Sequence, residues 1–264
     1  MRESNLPDTQ NKADTRQIAI DKVGIKDILH PIIYIDRDGN KNPTIGNFTM
    51  TVTLPQHTKG THMSRFIEIL NDGPCEFNSD NFGDIIGKVQ QKLGADSAHI
   101  TVNFAFFRNK KAPVSGAQSL LDYKVTLYGV LNKGEVEVMI KVVVPVTSLC
   151  PCSKSISKYG AHNQRSHITI KAKVGKGKTL FVEDLIDLAE QQASCELYAL
   201  LKREDEKVVT ERAYDNPAFV EDLVRDIAVG LNANDNIDYY RLESENFESI
   251  HNHSAYAFIE NYKT

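Results

Sequence analysis

Long hydrophobic runs are missing from this chain. No stretch approaches the roughly 18 consecutive apolar residues that a membrane-spanning helix needs, so no membrane partner is expected. The first twenty residues, MRESNLPDTQNKADTRQIAI, carry no apolar core of the kind a signal peptide requires, and they read as a polar arm. Cysteine is scarce: Cys75, Cys150, Cys152 and Cys195 are too few for a secreted disulfide framework, which points to a reducing cytoplasm. A basic excess is also absent. The formal net charge is -4, which argues against a nucleic-acid partner while leaving room for a local basic pocket that takes a phosphorylated substrate. Neither a Gly-rich phosphate loop nor a dinucleotide fingerprint occurs, which speaks against a kinase or a dehydrogenase.

What is present is ordinary for a globular protein: 264 residues, 41% hydrophobic and 25% charged. Strand-like patterning begins near Val23. GIKDILHPIIYID ends in the turn residues DRDGNKN, and NFTMTVTLP alternates, with Phe48, Met50, Val52 and Leu54 on one side and Thr49, Thr51 and Thr53 on the other. Thr61 or Ser64 is a candidate cap for a short helix carrying Phe66, Ile69 and Leu70. SDNFGDIIGKVQQKLG has helical spacing, with Gly94 where a C-terminal cap belongs. The strands HITVNFAFFR and SLLDYKVTLYGVL follow. The second half repeats the order: strands EVEVMIKVVVPV and RSHITIKAKV, and one long helix over TLFVEDLIDLAEQQASCELYALLKR. A helix at NPAFVEDLVRDIAVGL comes next, with Asn216 as cap and Pro217 at its first position. The strands NIDYYRLESE and SAYAFIEN close the chain.

This order predicts an α+β protein with a polar arm over 1–22 and two units, 23–131 and 132–264. Each unit is expected to be a four-stranded antiparallel sheet backed by two helices. No residue-level repeat accompanies the repeated order. A sheet face that the helices leave open needs another layer, so oligomerisation is expected.

Reactive side chains gather in four segments: GTHMSRF, SLCPCSKSISKYGAHNQRS, KREDEKVVTERAYDNPAFVED and ESENFESIHNHSA. Cys150 and His162 lie on one long loop after a buried strand, where a thiolate and an imidazole can reach a divalent metal. No second Cys or His pair sits at zinc-finger spacing. A third ligand could be Glu206, otherwise a solvated charge beside Lys202, Arg203 and Lys207, or Glu248. His251 and His253, two apart, suit general acid or base work near neutral pH and are otherwise a polar loop. Glu221 either forms an i,i+4 pair with Arg225 or faces a guanine edge, where one carboxylate accepts two hydrogen bonds. Arg65, Lys154, Arg165, Lys202, Arg203 and Lys207 recur beside these acids and suit a triphosphate, each being otherwise a solvated surface charge.

Taken in order, GTHMSRF, APVSGAQSLLDY, PVTSLCPCSKSISKYGAHNQRSH, QASCELYALLKREDEKVVTERAYDNPAFVED and SENFESIHNHSAYA resemble the GTP cyclohydrolase type IB family from about Val23 onward. The resemblance implies a tunnelling fold, whose unit is two strands, two helices and two strands. It further implies a homotetramer with active sites at subunit interfaces. The implied reaction is GTP plus water giving 7,8-dihydroneopterin triphosphate and formate, by metal-activated water attack at guanine C8. This step serves folate and, in some bacteria, deazaguanine tRNA modification. By position, Cys150, His162 and Glu206 resemble the ligands of one divalent metal per site, Zn, Mn or Fe(II). Glu221 resembles the purine anchor, and Glu248, His251 and His253 the remaining polar wall. Arg65, Arg165 and Arg203 are the candidate triphosphate contacts. Two other classes stay open: another purine or pterin enzyme on the same fold, and a non-catalytic nucleotide-binding oligomer.

Overall fold

The computed structural model describes Gln10 and residues 12–263; of the expected polar arm, residues 1–9 and 11 lie outside the described residues. In the first half the elements run β1 (Ile20–Ile35), β2 (Lys41–Leu54), α1 (Ser64–Leu70), β3 (Glu76–Phe77), α2 (Phe82–Leu93), β4 (Ser97–Lys111) and β5 (Gln118–Asn132). The second half contains β6 (Glu135–Leu149), α3 (Pro151–Ile156), β7 (Asn163–Val174), α4 (Val182–Gln192), β8 (Cys195–Glu196), α5 (Arg203–Asp215), α6 (Val220–Ala233), β9 (Ile237–Asn246) and β10 (Ala255–Tyr262). The helix-capping glycine expected at position 94 is in place, left-handed at φ 59°.

Period-two alternation buries one face of each long strand. In β2 the side chains of Phe48, Met50, Val52 and Leu54 are buried and the intervening threonines are half-buried. The strands lie in the order β10–β9–β7–β6–β5–β4–β2–β1–β3, with β8 paired to β6, and every pairing is antiparallel except β1 with β3. The two expected sheets are therefore one. β5 and β6 pair from Lys124↔Val143 to Asn132↔Glu135 across a tight turn, where Lys133 (φ 50°) and Gly134 (φ 80°) are both left-handed. That hairpin removes the two inner edges that separate sheets would have exposed.

The helices pack on the buried face. α2 lies on β4 and β5, α4 on β6, and α6 on β9 and β10, and one continuous apolar cluster runs beneath them from Ile32 to Leu242. α2 approaches closely because Gly129 lies beneath it: a Cβ there would meet Ile86 Cδ1 at 2.1 Å and Phe82 Cε1 at 2.9 Å, both on fully buried side chains.

Three expectations about helix ends need correction. Neither Thr61 nor Ser64 caps α1; the chain already turns at Met63, and the amides of Arg65 and Phe66 bond to the carbonyls of His62 and Met63. The single long helix is broken into α4 and α5. Cys195 and Glu196 leave the helical path to pair with Thr147 and Val146 of β6, and Glu196 reaches the Lys110 ammonium, the Tyr198 hydroxyl and Arg212. α6 starts at Val220 rather than Pro217. The Ala218 amide is drawn to the Leu149 carbonyl (3.1 Å), and Asp222 caps the helix by accepting from the Phe219 amide (3.2 Å).

The β1–β2 turn is clamped to α4. Glu183 accepts from the Arg37 amide at 2.8 Å, and the Arg37 guanidinium reaches Asp184 and Asp187 at 3.1 Å each. Glu183 is buried and its second carboxylate oxygen has no hydrogen-bond partner. Burial pushes its carboxyl above the usual range.

Two outcomes follow from this packing. Gly129→Ala should cost about 1–3 kcal/mol through overpacking beneath α2, read as a lower Tm. For Glu183, a raised folded-state pKa means the ionised form weakens the fold. That penalty is absent below the carboxyl's unfolded pKa and grows as pH rises through its folded value. The Tm of Glu183→Gln relative to the parent should therefore be more favourable at pH 8 than at pH 4.5, and a pH-independent difference would contradict the assignment.

Candidate active site

The apolar stripe on the inner face gives way to polar side chains at one end of the sheet. Along β6 the buried run Val142, Val144, Val146 ends in Ser148; along β7 Gln164 and Ser166 precede Ile168 and Ile170; along β9 Leu242 is followed by Ser244 and Asn246. All five polar residues are buried. The Ser148 hydroxyl accepts from Gln164 Nε2 and from Ser166 Oγ, both at 2.8 Å, and Ser244 Oγ donates to Asn246 Oδ1 at 3.3 Å.

This polar floor opens into a cavity of about 230 Å³ lined by Cys150, Gln164, Phe219, Glu221, Asn246 and Glu248 among others. Cys150 is set there by its neighbour Leu149, whose amide donates to Ser194 Oγ (3.1 Å) while its carbonyl accepts from the Ala218 amide (3.1 Å). Cys150 caps α3, and its Sγ accepts from the Ser153 amide at 3.4 Å. The Cys150 amide donates to the His162 carbonyl at 3.1 Å, which closes the loop so that these two residues are adjacent. His162 Nδ1 lies 2.9 Å from Gln164 Oε1 and 3.7 Å from Glu248 Oε2. Glu221 stands exposed in the first turn of α6, and Arg225 pairs with Asp222 (3.9 Å) rather than with Glu221. Of the four cysteines, Cys75 and Cys195 are poor ligands: burial pushes the Cys75 thiol up to about 11 and raises Cys195 as well. Cys152 is exposed on α3.

Other sequence candidates lie elsewhere. Glu206 and Arg203 are exposed in the first turn of α5. The far end of that helix, at Tyr214, is tethered to α3 through Lys154, whose ammonium bonds the Tyr214 carbonyl and sits 4.3 Å above its ring. Eight residues at about 1.5 Å each put Glu206 about 12 Å further along the α5 axis. Among the described residues of one chain, no group of three or more His, Cys, Asp and Glu side chains is arranged to hold a metal ion. Arg65 donates to the Lys92 carbonyl at 3.4 Å, and Arg165 is exposed on β7. His251 and His253 are exposed in the β9–β10 loop, their rings stacked at 5.0 Å.

Two buried charges that sequence reasoning passed over hold these elements. Asp205 is fully buried at the start of α5. Its carboxylate accepts from the amides of Val114, Ser115 and Lys202 and from Ser115 Oγ, at 2.6–2.9 Å. Burial alone would raise its carboxyl, but these donors outweigh burial and hold it far below the usual range. Lys110 is buried between Glu190 (2.6 Å) and Glu196, and Tyr123 donates to Glu190 at 2.6 Å. This cluster lines a cleft of about 460 Å³ and satisfies its own charges, fastening β4 to α4, β8 and α5. The one readable signal for the polar floor is alternation: Gln164 and Ser166 share the register of Ile168 and Ile170.

A divalent metal suits the donors gathered here. Gln164 Nε2 is committed to Ser148, so its Oε1 accepts from His162 Nδ1–H, leaving the Nε2 lone pair for a ligand role. Cys150 supplies sulfur beside it. Two ligands from one chain leave further positions to carboxylates and water.

The model of type I GTP cyclohydrolase folE2 matches residues 6–257. GTP cyclohydrolase FolE2 of Vesicomyosocius okutanii subsp. Calyptogena okutanii is 79% identical over 263 residues, covering 100% of both chains. GTP cyclohydrolase FolE2 of Ruthia magnifica subsp. Calyptogena magnifica is 79% identical over 259 residues and 98% of each. GTP cyclohydrolase FolE2 2 of Dechloromonas aromatica is 60% identical, covering 98% of this chain and 96% of the relative. Uricase from Arthrobacter globiformis superposes with a TM-score of 0.52 at 8% identity, over 92% of this chain and 93% of that one. Urate oxidase from Bacillus sp. TB-90 gives 0.51 at 10%, over 92% and 100%. These two likenesses speak to the tunnelling fold alone. From a family match spanning nearly every residue, and relatives this similar along their full length, the chain belongs to the type I GTP cyclohydrolase FolE2 family.

Proposed function

We infer that the protein converts GTP and water to 7,8-dihydroneopterin triphosphate and formate, the first step of tetrahydrofolate biosynthesis, in the cytoplasm. The observation that carries this reading, beside family membership, is the convergence of Cys150, His162, Glu221 and Glu248 on one end of the sheet. The enzyme family is metal-dependent; we assign one divalent ion per site, Zn, Mn or Fe(II), to Cys150, His162 and Glu206. When bound, such an ion supplies activation of water for addition at guanine C8.

The chain's own residues do the rest. Glu221 projects from the first turn of α6 and can accept from the purine N1–H and exocyclic amine together, which fixes the ring's orientation. Glu248, half-buried beside His162, adds negative charge to the wall facing the ring. His251 or His253 can move a proton as the imidazole ring opens and formate leaves, since both sit in the loop that continues from Glu248. Arg65, Arg165 and Arg203 are assigned to the triphosphate.

A single copy is incomplete. Its cavity of about 230 Å³ falls below the roughly 300 Å³ at which small-molecule pockets begin. Glu206, Arg203 and Arg65 stand outside it. We place the complete site between subunits of a homotetramer, with Glu206 of one copy facing Cys150 and His162 of another. The units 23–131 and 132–264 are taken as the two tunnelling-fold repeats, the second carrying most of the site.

Cys150→Ala and Glu206→Ala should each lose zinc binding and formate release. Mixed before refolding or co-expressed, the two should regain part of both, because some interfaces then carry an intact set. Absence of any recovery would place the ligands within one chain. Glu221→Ala should raise KM for GTP by about ten- to a hundredfold, the worth of hydrogen bonds to a charged group, while circular dichroism stays parental. An unchanged KM would remove Glu221 from the purine edge.

A further inference from the structure

His162 does not stand alone at the edge of the cavity. Its Nδ1 meets Gln164 Oε1 at 2.9 Å, Gln164 Nε2 meets Ser148 Oγ at 2.8 Å, and Ser166 Oγ meets the same Ser148 oxygen at 2.8 Å. The three supporting side chains are buried, Gln164 at 8% exposure and the two serines at 1% or less. They sit on adjacent strands, since Ser148 of β6 lies directly opposite Gln164 of β7 in the pairing register.

We propose that Gln164 is a positioning residue for the metal site, holding the His162 ring as its Nδ1–H tautomer with Nε2 turned toward the ion. An amide has one donating and one accepting end. Ser166 donates its own proton to Ser148, and Ser148 takes a second hydrogen bond from the Gln164 amide nitrogen. That leaves the Gln164 oxygen for His162, and an oxygen can only accept. Neutral imidazole in that contact must carry its proton on Nδ1, so Nε2 bears the lone pair. Turning the amide over would set an N–H donor against Nδ1–H. The Gln164 amide, held at its nitrogen by Ser148, therefore sets the proton position on His162. Outer partners of this kind orient a metal-bound imidazole and raise its basicity. The tilt of the ring is set by β-sheet register rather than by the loop between Cys150 and His162.

The proposal rests on His162 being a ligand, and the experiment separates the two. Zinc affinity of the assembled protein is measured by competition with a chromophoric chelator for the parent, His162→Ala, Gln164→Met and Gln164→Glu. We expect His162→Ala to lose tight binding and Gln164→Met to weaken it by about ten- to a hundredfold. The metal-free Tm of Gln164→Met should stay near the parent's. Gln164→Glu keeps an acceptor toward Nδ1 and should recover most of the loss. Parental affinity in His162→Ala overturns the ligand reading and the proposal with it. A weakened His162→Ala beside a parental Gln164→Met overturns the proposal alone. Should Gln164→Met fail to fold, long-range ¹H–¹⁵N spectra of the metal-free parent at pH 8 decide. His162, identified by its loss in His162→Ala, should give the Nδ1–H pattern, and an Nε2–H pattern overturns the proposal.

Discussion

Three neighbouring strands, β6, β7 and β9, run past the end of the apolar core, and their last inward positions are polar. Buried hydroxyls and amides without partners are costly, so Ser148, Gln164, Ser166, Ser244 and Asn246 have to satisfy one another. That requirement sets the geometry of everything beyond them. Gln164 spends one end on Ser148 and the other on His162, while the next residue of β6, Leu149, is held from both sides by Ser194 and Ala218. Cys150 begins its helix from a fixed point as a result.

The same logic of satisfied burial governs the connections. Asp205 could not be buried as a carboxylate without its four donors, and those donors tie the start of α5 to the β4–β5 turn. Lys110, in the strand end that leads into the same turn, is held between Glu190 and Glu196 and ties β4 to α4 and β8. Each is an ion held by partners from a distant part of the chain, which is the arrangement under which a buried charge specifies a position rather than weakening the fold. The joining of β5 to β6 then makes the two halves one sheet, so the pocket of the second half is supported by strands of the first.

Joining two repeats edge to edge leaves outer strands and exposed acids and bases at the rim. β10, at one end of the sheet, alternates half-buried and exposed side chains, with Tyr256, Phe258 and Tyr262 exposed. Glu206, Arg203 and Arg65 project from elements that do not face their own chain's cavity. Under the proposed assembly, ligands carried by different copies would be brought together by association, so folding of the chain and completion of the site would be separate events.

The α+β class, the long alternating strands, the cap at Gly94 and the loop placing Cys150 near His162 were all legible in the sequence, because they depend on spacing within one element or one loop. The break between α4 and α5 was not. Apolar spacing continues through that segment, and what ends the helix is competition from β6 for the backbone of Cys195 and Glu196. The late start of α6 has the same cause, a carbonyl of Leu149 supplied from elsewhere. The merging of two expected sheets turned on a turn of two left-handed residues at 133–134, and Gln164 gained its meaning only when β6 was placed opposite β7. Local periodicity and motif order determined the class, the elements and the family resemblance. Partner strands, which the linear pattern does not name, decided where helices stop, which charges are buried and which way one imidazole faces.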